Sequence, residues 1–465
     1  MRTLLLLAVL AAGCQKARPY DPRPEPREGG PPGEPMKEKP FQPLPEWVDW
    51  QNPGRDPDKD ETRIEFVHPS SKDWAGLKSF WNEPATAKKG ERPPPVRIKV
   101  PLGLDDPTGY IPAHSTPTLK KWELGRRLFF EESLLEAEGK VSCAGCHRPA
   151  DHFADGRRAP TGFYNTPSLV NSVYNSSQFW NGRATYLEEV VQQKPEDERT
   201  PLGREFRHAW PGVIARLRAS GPYREAFGKA FGLMPDQTTV GQALATYMRT
   251  LLAADSLHDR AVRQQMESRS PALEAKHYEA VLDQAALNKL DRPTAARAVV
   301  AADLVRGYRA FAGEAGCAAC HPAANGVFTD KRFHNIGVDA DADQFKGAPA
   351  KLGRFAVAPL GEKNRFLRAA FKTPSLRGLL RTGPYFHTGE ETTLLGAVRR
   401  HAYDRHEDEW QRNPFLDRLL TDEFGVRKKF AAAGDLDALV LFLKALDGEE
   451  ADASVRAPLP EAKKP

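Results

Sequence analysis

Four stretches of the chain place apolar residues three and four apart, the spacing that lines one face of a helix. The first runs through Leu119, Trp122, Leu124, Leu128, Phe129 and Phe130, with Gly125 inside it. The second holds Val240, Ala243, Leu244, Tyr247, Met248, Leu251 and Leu252. The third is Leu304, Tyr308 and Phe311, with Gly307 inside it. The fourth, Leu436, Leu439, Val440, Phe442, Leu443 and Leu446, reads as a strong amphipathic helix. A glycine within the first and third stretches permits a second helix to approach closely. Each of these two stretches comes shortly before a pair of cysteines, and the second and fourth close the segments that follow.

The ends of the chain read differently. Met1-Arg2-Thr3 is followed by an apolar run, Leu4 to Ala12, and then Gly13-Cys14. A basic start, a short apolar run and small residues describe a secretory signal over 1–13, too short to span a bilayer as a mature helix. Residues 14–60 are rich in Pro, Gly and charge and cannot bury enough surface to fold, so they read as a tether. Residues 61–109 add Phe66, Trp74, Leu77, Phe80 and Trp81, which predicts an irregular arm packed on the body. Residues 451–465 read as a solvated tail.

Length and charge narrow the class. A chain of 465 residues exceeds one ordinary core. The net charge of +5 is small for that length and argues against a nucleic-acid binder. No internal run of 18 apolar residues exists, which excludes a bundle of membrane-spanning helices.

The cysteines carry the chemistry. Cys143-Ala144-Gly145-Cys146-His147 and Cys317-Ala318-Ala319-Cys320-His321 are two C-x-x-C-H pentapeptides. Two thiols at this spacing reach the two vinyl groups of one haem and form thioethers, and the adjacent histidine then coordinates the iron. Zinc takes four ligands, and neither pair has a second cysteine pair nearby. The prediction is two covalent haems c, with His147 and His321 as iron ligands. A helix before C-x-x-C-H and a helix closing the segment is the layout of a small cytochrome c domain. The fold expected is therefore all-α: two tandem cytochrome c-type haem domains, 110–295 and 296–450, behind an irregular N-terminal extension.

Further segments repeat after both motifs. Asn165-Thr166-Pro167-Ser168-Leu169, Phe179-Trp180-Asn181-Gly182-Arg183 and Leu187-Glu188-Glu189 follow the first. Gly353-Arg354-Phe355, Lys372-Thr373-Pro374-Ser375-Leu376-Arg377 and Thr382-Gly383-Pro384-Tyr385-Phe386-His387-Thr388-Gly389 follow the second. In this order they resemble the bacterial di-haem cytochrome c peroxidase family, including its methylamine-utilisation relatives. Ala11-Ala12-Gly13 before Cys14 resembles a bacterial lipoprotein processing site, which implies lipidation of Cys14 and a periplasmic, membrane-anchored protein.

The resemblance assigns roles. The N-terminal haem is the peroxide site and the C-terminal haem accepts electrons. Trp180 matches the tryptophan between the haems. Counting back from Tyr223 puts the distal acid–base carboxylate at Glu205, with Glu196 and Glu198 as competitors because this segment departs from the family pattern. A calcium ion is implied at Asn165, through its side chain, and at the carbonyls of Thr382 and Pro384. Counting from His387, read as a packing residue, places the sixth ligand of the second haem at His401, with Tyr403 or an open site as alternatives. His401 stands where the family usually has Met, or Tyr in the methylamine-utilisation type. The five methionines, Met1, Met36, Met234, Met248 and Met266, all precede Cys317, so this domain offers no Met ligand of its own. Between His147 and Asn165 the sole histidine is His152. It lies too near the proximal ligand to cap the opposite haem face and reads as a surface or propionate-side residue, which leaves the first iron open.

The function expected is reduction of hydrogen peroxide to water with electrons from a small redox protein, a cytochrome c or cupredoxin, entering at the C-terminal haem. The alternatives are a high-valent di-haem oxidase of a protein or organic substrate, and a non-catalytic electron-transfer cytochrome. Family members are often homodimers.

Overall fold

The computed structural model describes residues 61–84, 91–132, 142–158, 164–191, 209–313, 315–323, 326–338, 352–402, 415–420 and 433–459. All of these fall within one compact unit, 55–465. Residues 1–60, read from sequence as a signal and a tether and including Cys14, lie outside the described residues.

The described chain is mostly helical. Its helices are α1 Leu119–Phe130, α2 Cys143–Cys146, α3 Ala209–Ala219, α4 Gly221–Phe231, α5 Gln237–Met248, α6 Leu257–Glu267, α7 Ala275–Glu279, α8 Gln284–Lys289, α9 Arg297–Ala312, α10 Arg354–Val357, α11 Leu394–Ala402, α12 Ala433–Ala445 and α13 Ala453–Arg456. Local signals set their starts. Thr118, extended at φ −122°, caps α1 by accepting from Lys121 N. Asp236 and Thr239 form a reciprocal capping box on α5.

Two helix pairs carry the architecture, and both are built around a glycine. α1 crosses α5 so closely that a Cβ on Gly125 would lie 1.9 Å from the Ala243 carbonyl oxygen. α9 crosses α12 in the same way, with a Cβ on Gly307 1.9 Å from the Ala438 carbonyl oxygen. The close approach expected from those glycines is therefore present twice. Leu124, Leu128 and Phe129 of α1 share a core with Val240, Ala243, Leu244 and Tyr247 of α5. α12 is buried on two sides. Leu441 and Ala445 join a core with α6 to α9, while Leu439, Phe442, Leu443 and Leu446 join a second core with Phe311 and Phe328. Each fully buried Leu or Phe stabilises the fold by about 1.5–3 kcal/mol.

The arm corrects the expectation of irregular structure over 61–109. Strand β1, Ile64–Val67, runs parallel to β3, Val96–Lys99, and β2, Trp81–Asn82, pairs antiparallel to β3. Val96, Ile98 and Val100 point into the α1/α5 core while Arg97 and Lys99 alternate outward. This period of two is a strand signal, short enough to be hidden among the prolines. A second small pair joins β4, Phe333–His334, to β5, Phe371–Lys372.

The solvated tail is also corrected. Ala451 and Val455 are buried in the α1/α5 core. Tyr247 donates its hydroxyl proton to the Val455 carbonyl at 2.6 Å, and Arg126 Nε donates to the Ala457 carbonyl at 2.6 Å. Among the described residues Leu459 packs against the same core, and three apolar side chains spaced four apart are too few to stand out as a helical pattern.

Candidate functional site

Each C-x-x-C-H motif folds as a single turn that presents its histidine. In the first, the Ser142 hydroxyl accepts from Gly145 N at 3.2 Å, and His147 N donates to the Cys143 carbonyl at 2.8 Å. In the second, His321 N donates to the Cys317 carbonyl at 2.9 Å. The rings are then aimed by backbone. His147 Nδ1 donates to the Phe153 carbonyl at 3.0 Å, and His321 Nδ1 to the Phe328 carbonyl at 2.8 Å. With Nδ1 carrying the proton, Nε2 keeps the lone pair a metal needs. Burial pushes both imidazoles toward the neutral form, His321 down to about 4.

Phe153 and Phe328 are the residues that motif reading missed. Both are buried, and both sit in the left-handed region, at φ 57° and 54°. That conformation costs a non-glycine residue about 1–2 kcal/mol and turns each carbonyl back toward its histidine. The signal in the sequence is faint: a Phe six residues after His147 and seven after His321.

Both motifs open on one cavity of about 790 Å³. Its wall holds the four cysteines of the two motifs, His147, His321, Trp180, Lys372 and His401. The wall fits a porphyrin. It brings apolar side chains such as Phe129, Leu244, Leu376 and Leu439 to a pair of vinyl-reactive thiols, each thiol pair beside a preset imidazole. Burial pushes the Cys143 and Cys317 thiols up to about 12, as expected in apolar surroundings. It pushes the Lys372 ammonium down to about 8, so this cation favours an anionic neighbour such as a haem carboxylate.

The other expected residues fall as follows. Trp180 Nε1 donates to the Asn165 carbonyl at 2.7 Å, and the Trp180 carbonyl accepts from Lys372 N at 2.7 Å. Asn165 is buried, and its side-chain amide reaches the carbonyl oxygens of Pro384 at 2.6 Å and Phe386 at 3.3 Å. Thr382 lines the cavity. His387 is a packing residue: its ring stacks on Phe371 with centroids 3.5 Å apart. His401 is half-buried on α11, with Nδ1 bonded to the Ala397 carbonyl at 2.9 Å. It is close enough to His321 for the two imidazoles to interact electrostatically. Glu205, its competitors Glu196 and Glu198, and Tyr403 lie outside the described residues.

Two histidines read differently in three dimensions. His152 is not a surface residue. It is 4 % exposed, in a left-handed turn at φ 55°, against Gly378. Burial and the nearby Arg381, Lys289 and Arg456 push it down to about 3. Among the described residues, those lining the cavity do not include it. The close turn that ties Phe153 to His147 also carries the His152 side chain inward. His334, one of the histidines available after His321, has both nitrogens on carboxylates: Nδ1 on Asp417 at 2.6 Å and Nε2 on Asp330 at 2.8 Å. Burial opposes its charge, but the bonds to Asp330 and Asp417, with a contribution from the Cys320 thiol, raise its pKa above the ordinary value. It is a clamped cation rather than a ligand.

Comparison with known proteins bears on this geometry. The family model for di-haem cytochrome c peroxidase matches residues 119–267. The methylamine utilization protein MauG of Methylorubrum extorquens is 33% identical over 290 residues, 60% of this chain and 67% of the relative. The cytochrome-c peroxidase IdrP1 of Denitromonas iodatirespirans is 31% identical over 322 residues, covering 63% and 75%. The chain belongs to the di-haem cytochrome c peroxidase family. It is accordingly an oxidoreductase, and the family's two haems c account for the two C-x-x-C-H turns. A solved MauG-like protein associated with microbial copper homeostasis shares the fold, with TM-score 0.54 and 23% identity over 75% of this chain and 95% of that one.

Proposed function

We propose that this protein reduces hydrogen peroxide to water, drawing electrons from a small redox protein at the second motif and consuming them at the first. The observation that carries the reading is the single cavity shared by two C-x-x-C-H turns whose histidines are both preset for iron. Bound there, two haems would store the two electrons that peroxide requires and offer an iron position open to it.

The chain's own residues supply the rest. His147 and His321 would hold the cofactors, each ring fixed by a backbone carbonyl. His152 is turned away into the protein, so no histidine from its loop competes with peroxide at the first site. His401 serves as second ligand at the C-terminal site, with Nδ1 tied to its own helix so that Nε2 is the nitrogen offered. Trp180 is held at both its indole N–H and its carbonyl, a rigid aromatic on the shared wall suited to relaying electrons. Glu205 moves the proton from one peroxide oxygen to the other as their bond breaks. Turning the Asn165 amide over would set its oxygen beside the carbonyls of Pro384 and Phe386, hard donors suited to calcium, with the Thr382 carbonyl as a further ligand. Two tandem cytochrome domains, lipidation at Cys14, a periplasmic location and a homodimer complete the proposal.

Peroxide consumption with a reduced cytochrome c as donor tests it. Steady turnover that is lost in His147→Gly supports the reading. Two intact haems with no peroxide consumption would leave an electron carrier instead. The similarity to the MauG proteins favours a second reading, oxidation of a protein or organic substrate, which demands a substrate whose modification depends on peroxide and this protein together.

A further inference from the structure

The arm residues 61–109 have no role in the account so far, yet they carry an indole into contact with the body. The ring of Trp81, in β2, lies 4.2 Å from that of Trp122 in α1. Trp122 lies 6.3 Å from Tyr247 in α5, centroid to centroid. Tyr247 lies 5.1 Å from Phe129, which lines the cavity, and is close enough to Cys143 for the two side chains to interact electrostatically. The outer end of this series is half-exposed and the inner members are fully or almost fully buried.

We propose that Trp81, Trp122 and Tyr247 form an electron path from the surface to the haem held by Cys143, ending at Trp81 as an oxidisable surface site. This rests on the peroxidase reading, which supplies the oxidant. One electron leaves the Trp81 indole, passes Trp122 and Tyr247, and cancels one oxidising equivalent that peroxide has left at the first site. Trp81 remains as an indole radical cation. No bond is made or broken, and a small one-electron reductant at the surface returns the electron.

Aromatic residues also pack cores simply as large apolar groups, but the surroundings here grade the path. Tyr247 donates its phenolic proton to a backbone carbonyl, which is no base, so an oxidised Tyr247 cannot shed that proton and acts as a bridge. The guanidinium carbon of Arg126 lies 5.0 Å from the Trp122 ring centroid, and Arg126 is itself buried, so a positive charge on Trp122 is repelled. Trp122 is held in place by its Nε1 bond to Thr250 Oγ1 at 2.9 Å. Among the described residues no cation lies over the Trp81 ring, and the ring is half-exposed to water. The hole therefore comes to rest on Trp81.

The test uses the full-length holoprotein with both haems in place, mixed with hydrogen peroxide and frozen within the reaction. The haem absorption change reports the reaction with peroxide. Electron paramagnetic resonance, with deuterated tryptophan, reports the radical. The expected result is a tryptophan radical that Trp81→Phe abolishes, with the haem response unchanged. Trp122→Phe should also lose most of it although Trp81 remains. Haem content and the resting spectrum verify the fold of both variants. A normal haem response with no tryptophan radical, or the same radical in both variants, overturns the path but not the peroxidase reading. Absence of any haem response to peroxide overturns both.

Discussion

Asp259 and Arg377 stand 118 positions apart and meet in a buried two-pronged ion pair, Nη1 to Oδ2 at 2.6 Å and Nη2 to Oδ1 at 2.7 Å. The same guanidinium donates to the carbonyls of Gly326 and Gly103. One side chain thus ties the Thr373–Arg377 segment of the cavity wall to the start of α6, to the end of the arm at Gly103 and to the loop after the second motif at Gly326. Asp259→Ala would leave the guanidinium buried without its counter-charge, at a cost of about 3–5 kcal/mol. Denaturant unfolding of the holoprotein measures it. Asp259→Ala combined with Arg377→Met should recover a large part of that loss.

The same pair sets an acid limit. Burial alone would raise the Asp259 carboxyl, but Arg377 and the Ser256 bonds outweigh it and hold the folded value below that of a free aspartate. The contribution is therefore present above the unfolded pKa of about 3.9 and disappears as pH falls through the lower folded value. Stability against pH should decline less steeply in this range in Asp259→Asn than in the wild type. An identical acid slope in both would remove Asp259 from the explanation.

The two glycine crossings give matched substitutions. Gly125→Ala and Gly307→Ala each drive a methyl group into a carbonyl of the facing helix, and each should cost about 1–3 kcal/mol or more through forced separation of the helices. Gly76→Ala is the control, because a Cβ there meets nothing within 4 Å, and it should stay within about 0.5 kcal/mol. Thermal unfolding midpoints of the three variants decide this.

His401→Met tests the ligand proposed for the second site. If His401 holds the second haem, replacing its imidazole by a thioether should raise the midpoint potential of one haem and leave the other in place. A redox titration with both midpoints unmoved and an unchanged spectrum would take His401 out of the coordination sphere.

Much of this site was written in short range. The C-x-x-C-H turns, the glycines of α1 and α9 and the apolar faces of α5 and α12 are local patterns, because thioether spacing and helix periodicity are local constraints. What sequence reading lost depends on groups without a side-chain signature or on distant partners. The Phe153 and Phe328 carbonyls that aim the histidines belong to the backbone. β1 pairs with β3 at a separation of 32 positions, and β2 is two residues long, so their pairing leaves only a brief alternation. Val455 reaches the α1/α5 core from the far end of the chain. His152 is buried rather than at the surface, and nearness to His147 in sequence says nothing about which way a left-handed turn points.

The most direct test of the whole account is a pyridine haemochrome assay on the purified protein, counting haems per polypeptide in the wild type and in Cys143→Ala/Cys146→Ala. Two haems c per chain, falling to one in the variant, is the predicted result. Fewer than two in the wild type, or a count unmoved by removing the first cysteine pair, would contradict it.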